Sequence, residues 1–178
     1  MKRHSTARAL GGELADEAHG PTRVERRILR KQFYLHPGKI FASAEPTAVT
    51  TILGSCVAVC LWDPAVATGG VAHFVLPRGA GDQASALRYG NVAVPQLVQR
   101  LIDLGCSIDR LRAKLFGGAC VIAAFQRVGG QLGLGNAESA RGLLAAAGVP
   151  VLVEDLGGRR GRKLIFQVDD GTAWVKFL

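Results

Sequence analysis

Apolar positions along this 178-residue chain fall in short blocks separated by glycine, proline and acidic turns. The clearest periodic segment is 85–104, where Val94, Leu97, Val98, Leu101 and Leu104 share one face at helical spacing. A helix is predicted there, with Pro95 as its start or a kink and Gly105 at its end. A second helix is predicted over 137–147, with Ala140, Leu143, Leu144 and Ala147 on one face. Asn136 is its expected N-cap, and Gly148 follows its end. Segments 47–51, 71–76, 113–116, 149–154, 163–168 and 172–177 read as strands. Asp169-Asp170-Gly171 is a hairpin signal between the last two. Segment 56–62 is an apolar run of core length for which helix and buried strand both stay open. Asp63-Pro64 and Thr68-Gly69-Gly70 read as turns and 78–83 as a loop. Helices alternate with strands, and some strands are joined by hairpins, so an α/β (α+β) chain is expected, with a mixed sheet and helices packed outside.

Residues 1–32 lack this periodicity. They read as a basic, disordered extension with one helical turn around 23–31, followed by a single domain over 33–178. The net charge of +8 is concentrated early, where the first 39 residues carry nine Lys and Arg against four Asp and Glu. No apolar run approaches the ~20 residues needed to span a bilayer. The basic start has no apolar stretch after it, so a cytoplasmic chain without a signal peptide is expected. Aromatic residues are only 6% of the chain, too sparse for the basic–aromatic platform that stacks nucleic-acid bases. The four cysteines, Cys56, Cys60, Cys106 and Cys120, form no Cys-x-x-Cys pair and no metal-ligand cluster, so reduced thiols and no bound metal are expected.

Chemistry enters at Cys56 and His73. Cys56 follows Gly54-Ser55, and glycine permits a tight turn and close approach of a substrate. Such a turn leaves N–H groups of Gly54, Ser55 and Cys56 free to hold an oxyanion. His73 lies seventeen residues on, inside a core strand. Two antiparallel neighbours joined through 63–70 would set the thiol beside an imidazole base, the pairing that thiol catalysis requires. The same spacing also fits a core cysteine and a core histidine. Ser55 is a rival nucleophile, but no Gly-x-Ser-x-Gly elbow surrounds it.

The stretch Thr50-Thr51-Ile52-Leu53-Gly54-Ser55-Cys56-Val57-Ala58-Val59-Cys60 resembles the signature of the CheD family, the chemoreceptor glutamine deamidases. Gly70-Val71-Ala72-His73-Phe74-Val75-Leu76-Pro77 extends that resemblance. Phe116-Gly117-Gly118-Ala119, Leu132-Gly133-Leu134-Gly135-Asn136 and 154–162 (Gly157-Gly158 followed by Arg162) are similar to further segments of the same family, in order. Two local departures stand out: Cys120-Val121 where the family often carries Met, and Tyr89-Gly90-Asn91 for its Tyr-x-Asp. The resemblance implies a mixed β-sheet sandwich flanked by helices, with a cysteine-hydrolase site that needs no cofactor. It implies a catalytic triad of Cys56, His73 and Thr50, the threonine six residues before the cysteine; Thr51 stands beside it. It implies conversion of glutamine side chains on methyl-accepting chemotaxis receptors to glutamate, through a Cys56 thioester, with receptor methylesterase as a side activity. A CheC-type phosphatase is a further implied partner, so a non-catalytic adaptation module binding CheC or receptors is the alternative. Arg159, Arg160, Arg162 and Lys163 are candidates for contact with an acidic receptor surface, and an exposed, solvated loop is the favoured reading of the same charges.

Overall fold

A computed structural model of the chain describes residues 29–80, 82, 84–121 and 129–178. Nine strands and two α-helices form three layers among these residues. The strands are β1 (Lys31–Tyr34), β2 (Lys39–Ser43), β3 (Thr47–Leu53), β4 (Val57–Asp63), β5 (Thr68–Phe74), β6 (Arg112–Gly117), β7 (Val151–Leu156), β8 (Arg162–Gln167) and β9 (Ala173–Phe177). The helices are α1 (Gly90–Asp103) and α2 (Gly129–Ala146). One sheet has the order β1-β3-β8-β9 and the other β2-β5-β4-β6-β7. Parallel β1–β3 and β6–β7 pairs sit among antiparallel ones, so both sheets are mixed. The expected sandwich flanked by helices is the architecture found. Most of the extension expected over 1–32, with its helical turn around 23–31, lies outside the described residues. Lys31 and Gln32 already belong to β1, opposite Thr47 and Ala48.

β4 settles the helix-or-strand alternative for 56–62. It is the middle strand of the five-stranded sheet, paired with β5 on one side and β6 on the other. Every residue in it is buried. Val57, Val59 and Leu61 face the helices, packing with Val94, Leu97 and Leu101 of α1 and Leu144 of α2. Ala58, Cys60 and Trp62 face the other sheet and meet Val49, Leu53, Leu164 and Phe166. A strand covered on both faces has no reason to alternate apolar with polar, which is why periodicity gave no answer there.

Thr68-Gly69-Gly70, expected as a turn, is instead the start of β5. A Cβ on Gly69 would sit 2.5 Å from the Val168 carbonyl, and one on Gly70 would sit 2.8 Å from Leu97 Cδ1. These glycines mark where the sheet is pressed from both sides, not where the chain reverses. The helical segment expected over 85–104 is divided: a short 3-10 turn at Ala86–Arg88 precedes α1, and Pro95 lies in the first turns of α1. Asn136 is no N-cap. The second helix begins seven residues before it, and Asn136 lies in its interior, fully buried.

Candidate active site

Gly54, Ser55 and Cys56 form the bend between β3 and β4. All three carbonyls of this bend are held from behind. The N–H of Ala119 donates to Gly54 O (2.8 Å), and the N–H of Gly118 donates to Cys56 O (2.8 Å). Nδ2 of Asn136 donates to Ser55 O at 2.9 Å. Among the described residues no main-chain carbonyl accepts the N–H of Ser55. With its carbonyls turned inward and tied, the bend presents its N–H side outward, as an oxyanion site requires. Glycine is obligatory behind it. Gly117 and Gly118 have φ of +111° and +67°, and a Cβ on Gly117 would lie 2.2 Å from the Cys56 carbonyl.

The β4–β5 register places His73 opposite Ala58 and Phe74 opposite Val57. Cys56, two residues before Ala58, is therefore a diagonal neighbour of His73 at one end of the same strand pair. His73 is fully buried and points between the sheets. Its Nδ1 lies 2.8 Å from Thr51 Oγ1. Thr51 Oγ1 in turn donates its single proton to the Leu35 carbonyl at 2.8 Å. A carbonyl only accepts, so the threonine oxygen must accept from Nδ1–H. The network thereby fixes the tautomer: the proton is on Nδ1, and Nε2 carries a bare lone pair. That Nε2 is buried and has no hydrogen-bond partner. Burial pushes the His73 pKa down to about 4, with the Leu35 carbonyl acting weakly the other way. The ring is a neutral base at physiological pH.

Thr50 is placed differently. It is half-buried, on the opposite face of β3 from Thr51, between Tyr34 of β1 and Ile165 of β8. Adjacent strand residues point to opposite faces, and the inward face of β3 is the one carrying Val49, Thr51 and Leu53. The histidine contact expected of Thr50 is made by Thr51.

The thiols separate by environment. Cys60 and Cys106 belong to the two hydrophobic cores, and burial raises both, Cys106 to about 11. Cys56 is only half-buried. Burial also raises its thiol, while its own N–H and the nearby Arg88 guanidinium oppose that rise. Sequence reasoning did not single out Arg88, which is exposed on the 3-10 turn; nothing in local pattern points from residue 88 to residue 56.

Arg162 was expected on an exposed surface beside Arg159 and Arg160. It is 2% exposed. Its guanidinium donates to the carbonyls of Gly117 (2.7 Å), Asp155 (2.5 Å) and Gly157 (2.7 Å). An arginine that satisfies three carbonyls is holding a loop and is unable to meet a partner. Arg159, Arg160 and Lys163 are exposed. Thus the segments around 117, 136 and 157–162, far apart in sequence, converge behind one bend.

The family model described as CheD chemotactic sensory transduction matches residues 75–177. A relative in Anaeromyxobacter dehalogenans, named probable chemoreceptor glutamine deamidase CheD 1, is 55% identical over 84% of this chain and 86% of its own. One in Sulfurimonas denitrificans, named probable chemoreceptor glutamine deamidase CheD, is 34% identical over 82% of this chain and 93% of its own. Among solved structures, the Bacillus licheniformis hypothetical protein YfiH aligns with a TM-score of 0.42 and 19% identity, covering 66% of this chain and 51% of that one. With more than half the chain matched by the family model and its relatives aligned over most of their length, the chain belongs to the CheD family.

Proposed function

We propose that the protein is a glutamine deamidase acting on chemoreceptor side chains in the cytoplasm, with Cys56 as nucleophile and His73 as base. The observation that carries this reading is the buried, unpartnered Nε2 of His73 with its tautomer fixed from the other side by Thr51. A core histidine without a catalytic role is expected to have both nitrogens satisfied. The names of its relatives supply the substrate class.

The cycle balances as follows. Nε2 of His73 takes the Cys56 thiol proton as sulfur attacks the carboxamide carbon of a glutamine. The oxyanion rests on the outward N–H groups of the Gly54–Cys56 bend. The imidazolium returns its proton to the departing nitrogen, ammonia leaves, and a thioester remains. Water then attacks the thioester, giving its proton to Nε2; the thiol is restored and a glutamate is left. Thr51 orients the ring and disperses the charge it acquires, relaying to the Leu35 carbonyl. A methyl ester could enter the same route with methanol as leaving group. Exposed Arg159 and Arg160 give the basic surface that suits an acidic receptor bundle.

The test is ammonia release from a purified cytoplasmic receptor fragment, with glutamine-to-glutamate conversion confirmed by peptide mass. Conversion by the wild type but not by Cys56→Ala or His73→Ala is the expected result. Absence of conversion by the wild type, on several receptors of the same organism, would favour the binding-module reading and a CheC-type partner instead.

A further inference from the structure

The interior of α2 carries a buried asparagine that bonds two separate main-chain segments. Asn136 is fully buried in mid-helix, where asparagine is a poor helix former. Its Oδ1 is buried without a partner, a cost that an apolar residue of similar size would not incur. Yet its Nδ2 makes two bonds, to Ser55 O and to Val75 O, each 2.9 Å. Reversing the carboxamide would set Oδ1 against both carbonyls, so its orientation is fixed. Ser55 precedes the thiol, and Val75 lies two residues beyond His73. One turn further along α2, Ser139 donates to the Pro77 carbonyl at 2.9 Å, anchoring the same end of β5.

Resting on the thiol–imidazole reading above, we infer that Asn136 is a positioning residue: one amide nitrogen bridges the nucleophile bend and the base strand, and so sets the alignment of Cys56 with Nε2 of His73. Among the described residues no other hydrogen bond is found to tie the two segments beyond the last β4–β5 pair, Val57 with Phe74. The unsatisfied Oδ1 follows from the demand that both donors of a single nitrogen reach two separated carbonyls.

The test needs no receptor. Cys56 alkylation by a neutral haloacetamide at pH 7 is followed by mass for wild type, Asn136→Leu, Asn136→Gln, His73→Ala and the His73→Ala/Asn136→Leu double variant. Asn136→Leu keeps the volume and removes both bonds; Asn136→Gln keeps the donors but displaces them by a methylene. His73→Ala is expected to slow alkylation. Asn136→Leu is expected to slow it by about tenfold or more, and to add almost nothing in the His73→Ala background, because both act through one alignment. A purely structural role would instead slow both backgrounds equally and would overturn the inference. So would a folded Asn136→Leu or Asn136→Gln protein with a wild-type rate. If Asn136→Leu does not fold, Asn136→Gln takes its place in both the wild-type and the His73→Ala backgrounds, and the same comparison decides. Should His73→Ala leave the rate unchanged, the thiol–imidazole reading itself fails, separately from the asparagine.

Discussion

Thr51 Oγ1 stands 2.8 Å from His73 Nδ1 while donating to the Leu35 carbonyl, so one hydroxyl both fixes the imidazole tautomer and passes its polarity to the main chain. Its neighbour Thr50 is on the other face of the strand and shares none of this. Thr51→Val should lower kcat by about 10²-fold with little change in KM, since a mis-set base acts on the chemical step. Thr50→Val should stay within about twofold of wild type. Steady-state kinetics of the two variants side by side decides the matter; equal losses would remove the special role of Thr51.

The resting pair consists of two neutral groups. Burial holds the His73 pKa at about 4 and the Cys56 thiol above its usual value. General-base attack needs the imidazole unprotonated, so deamidation should be level from about pH 5 to pH 8 and fall on the acid side. An acid limb centred near pH 6.5 would mean that the histidine is not held neutral by burial.

Stability should depend on the same histidine. Its pKa is about 4 in the folded protein against 6.5 for the free side chain. Below pH 6.5 the unfolded chain binds a proton that the folded chain refuses, so stability is full above 6.5 and declines as pH falls towards about 4. Urea midpoints measured across this range should show the decline in the wild type and a shallower one in His73→Gln. Parallel curves would contradict the assignment.

Arg162 closes the loop that backs the bend. Arg162→Met leaves the carbonyls of Gly117, Asp155 and Gly157 without their side-chain donor and should cost roughly 2–3 kcal/mol, seen as a lowered denaturant midpoint. Arg162→Lys should restore little of it, because a single ammonium lacks the planar fork that reaches separated carbonyls. Full rescue by lysine would show that charge, not geometry, is what matters there.

Electrostatic tuning of the thiol is open to a separate check. Arg88 is the one charged side chain found to favour the Cys56 thiolate among the described residues. Arg88→Gln should move the alkaline rise of Cys56 alkylation to higher pH, and added salt should narrow the difference from wild type. Identical profiles at low salt would remove Arg88 from the site.

The layers were legible in the sequence because strands such as β3 and helices such as α1 carry runs long enough to show their buried face. β1 was not: all four of its residues are exposed, so no pattern marks it. The start of α2 was hidden by Gly129, Gly130, Gly133 and Gly135, which local propensity rejects. Gly133 is required there by tertiary contact, since a Cβ on it would sit 2.3 Å from the Gly118 carbonyl. Residue type and spacing offered Cys56 and His73 as candidates beside a core reading of both, and the resemblance to the CheD family favoured the pair. The choice between Thr50 and Thr51 depends on which face of β3 turns inward, which the pairing with β1 and β8 fixes. Asn136 and Arg162 looked like a cap and a surface charge because their partners lie 81 and 45 residues away.

The convergence behind the bend has a temporal consequence. Cys56 emerges early in synthesis, but the groups that shape its surroundings arrive late: Gly118 and Ala119, then Asn136, and finally Arg162, near the end of the chain. Contacts of such large sequence separation form only with the completed tertiary structure. A nascent or truncated chain is therefore expected to carry Cys56 as an ordinary cysteine, its surroundings being complete only once synthesis has passed β8.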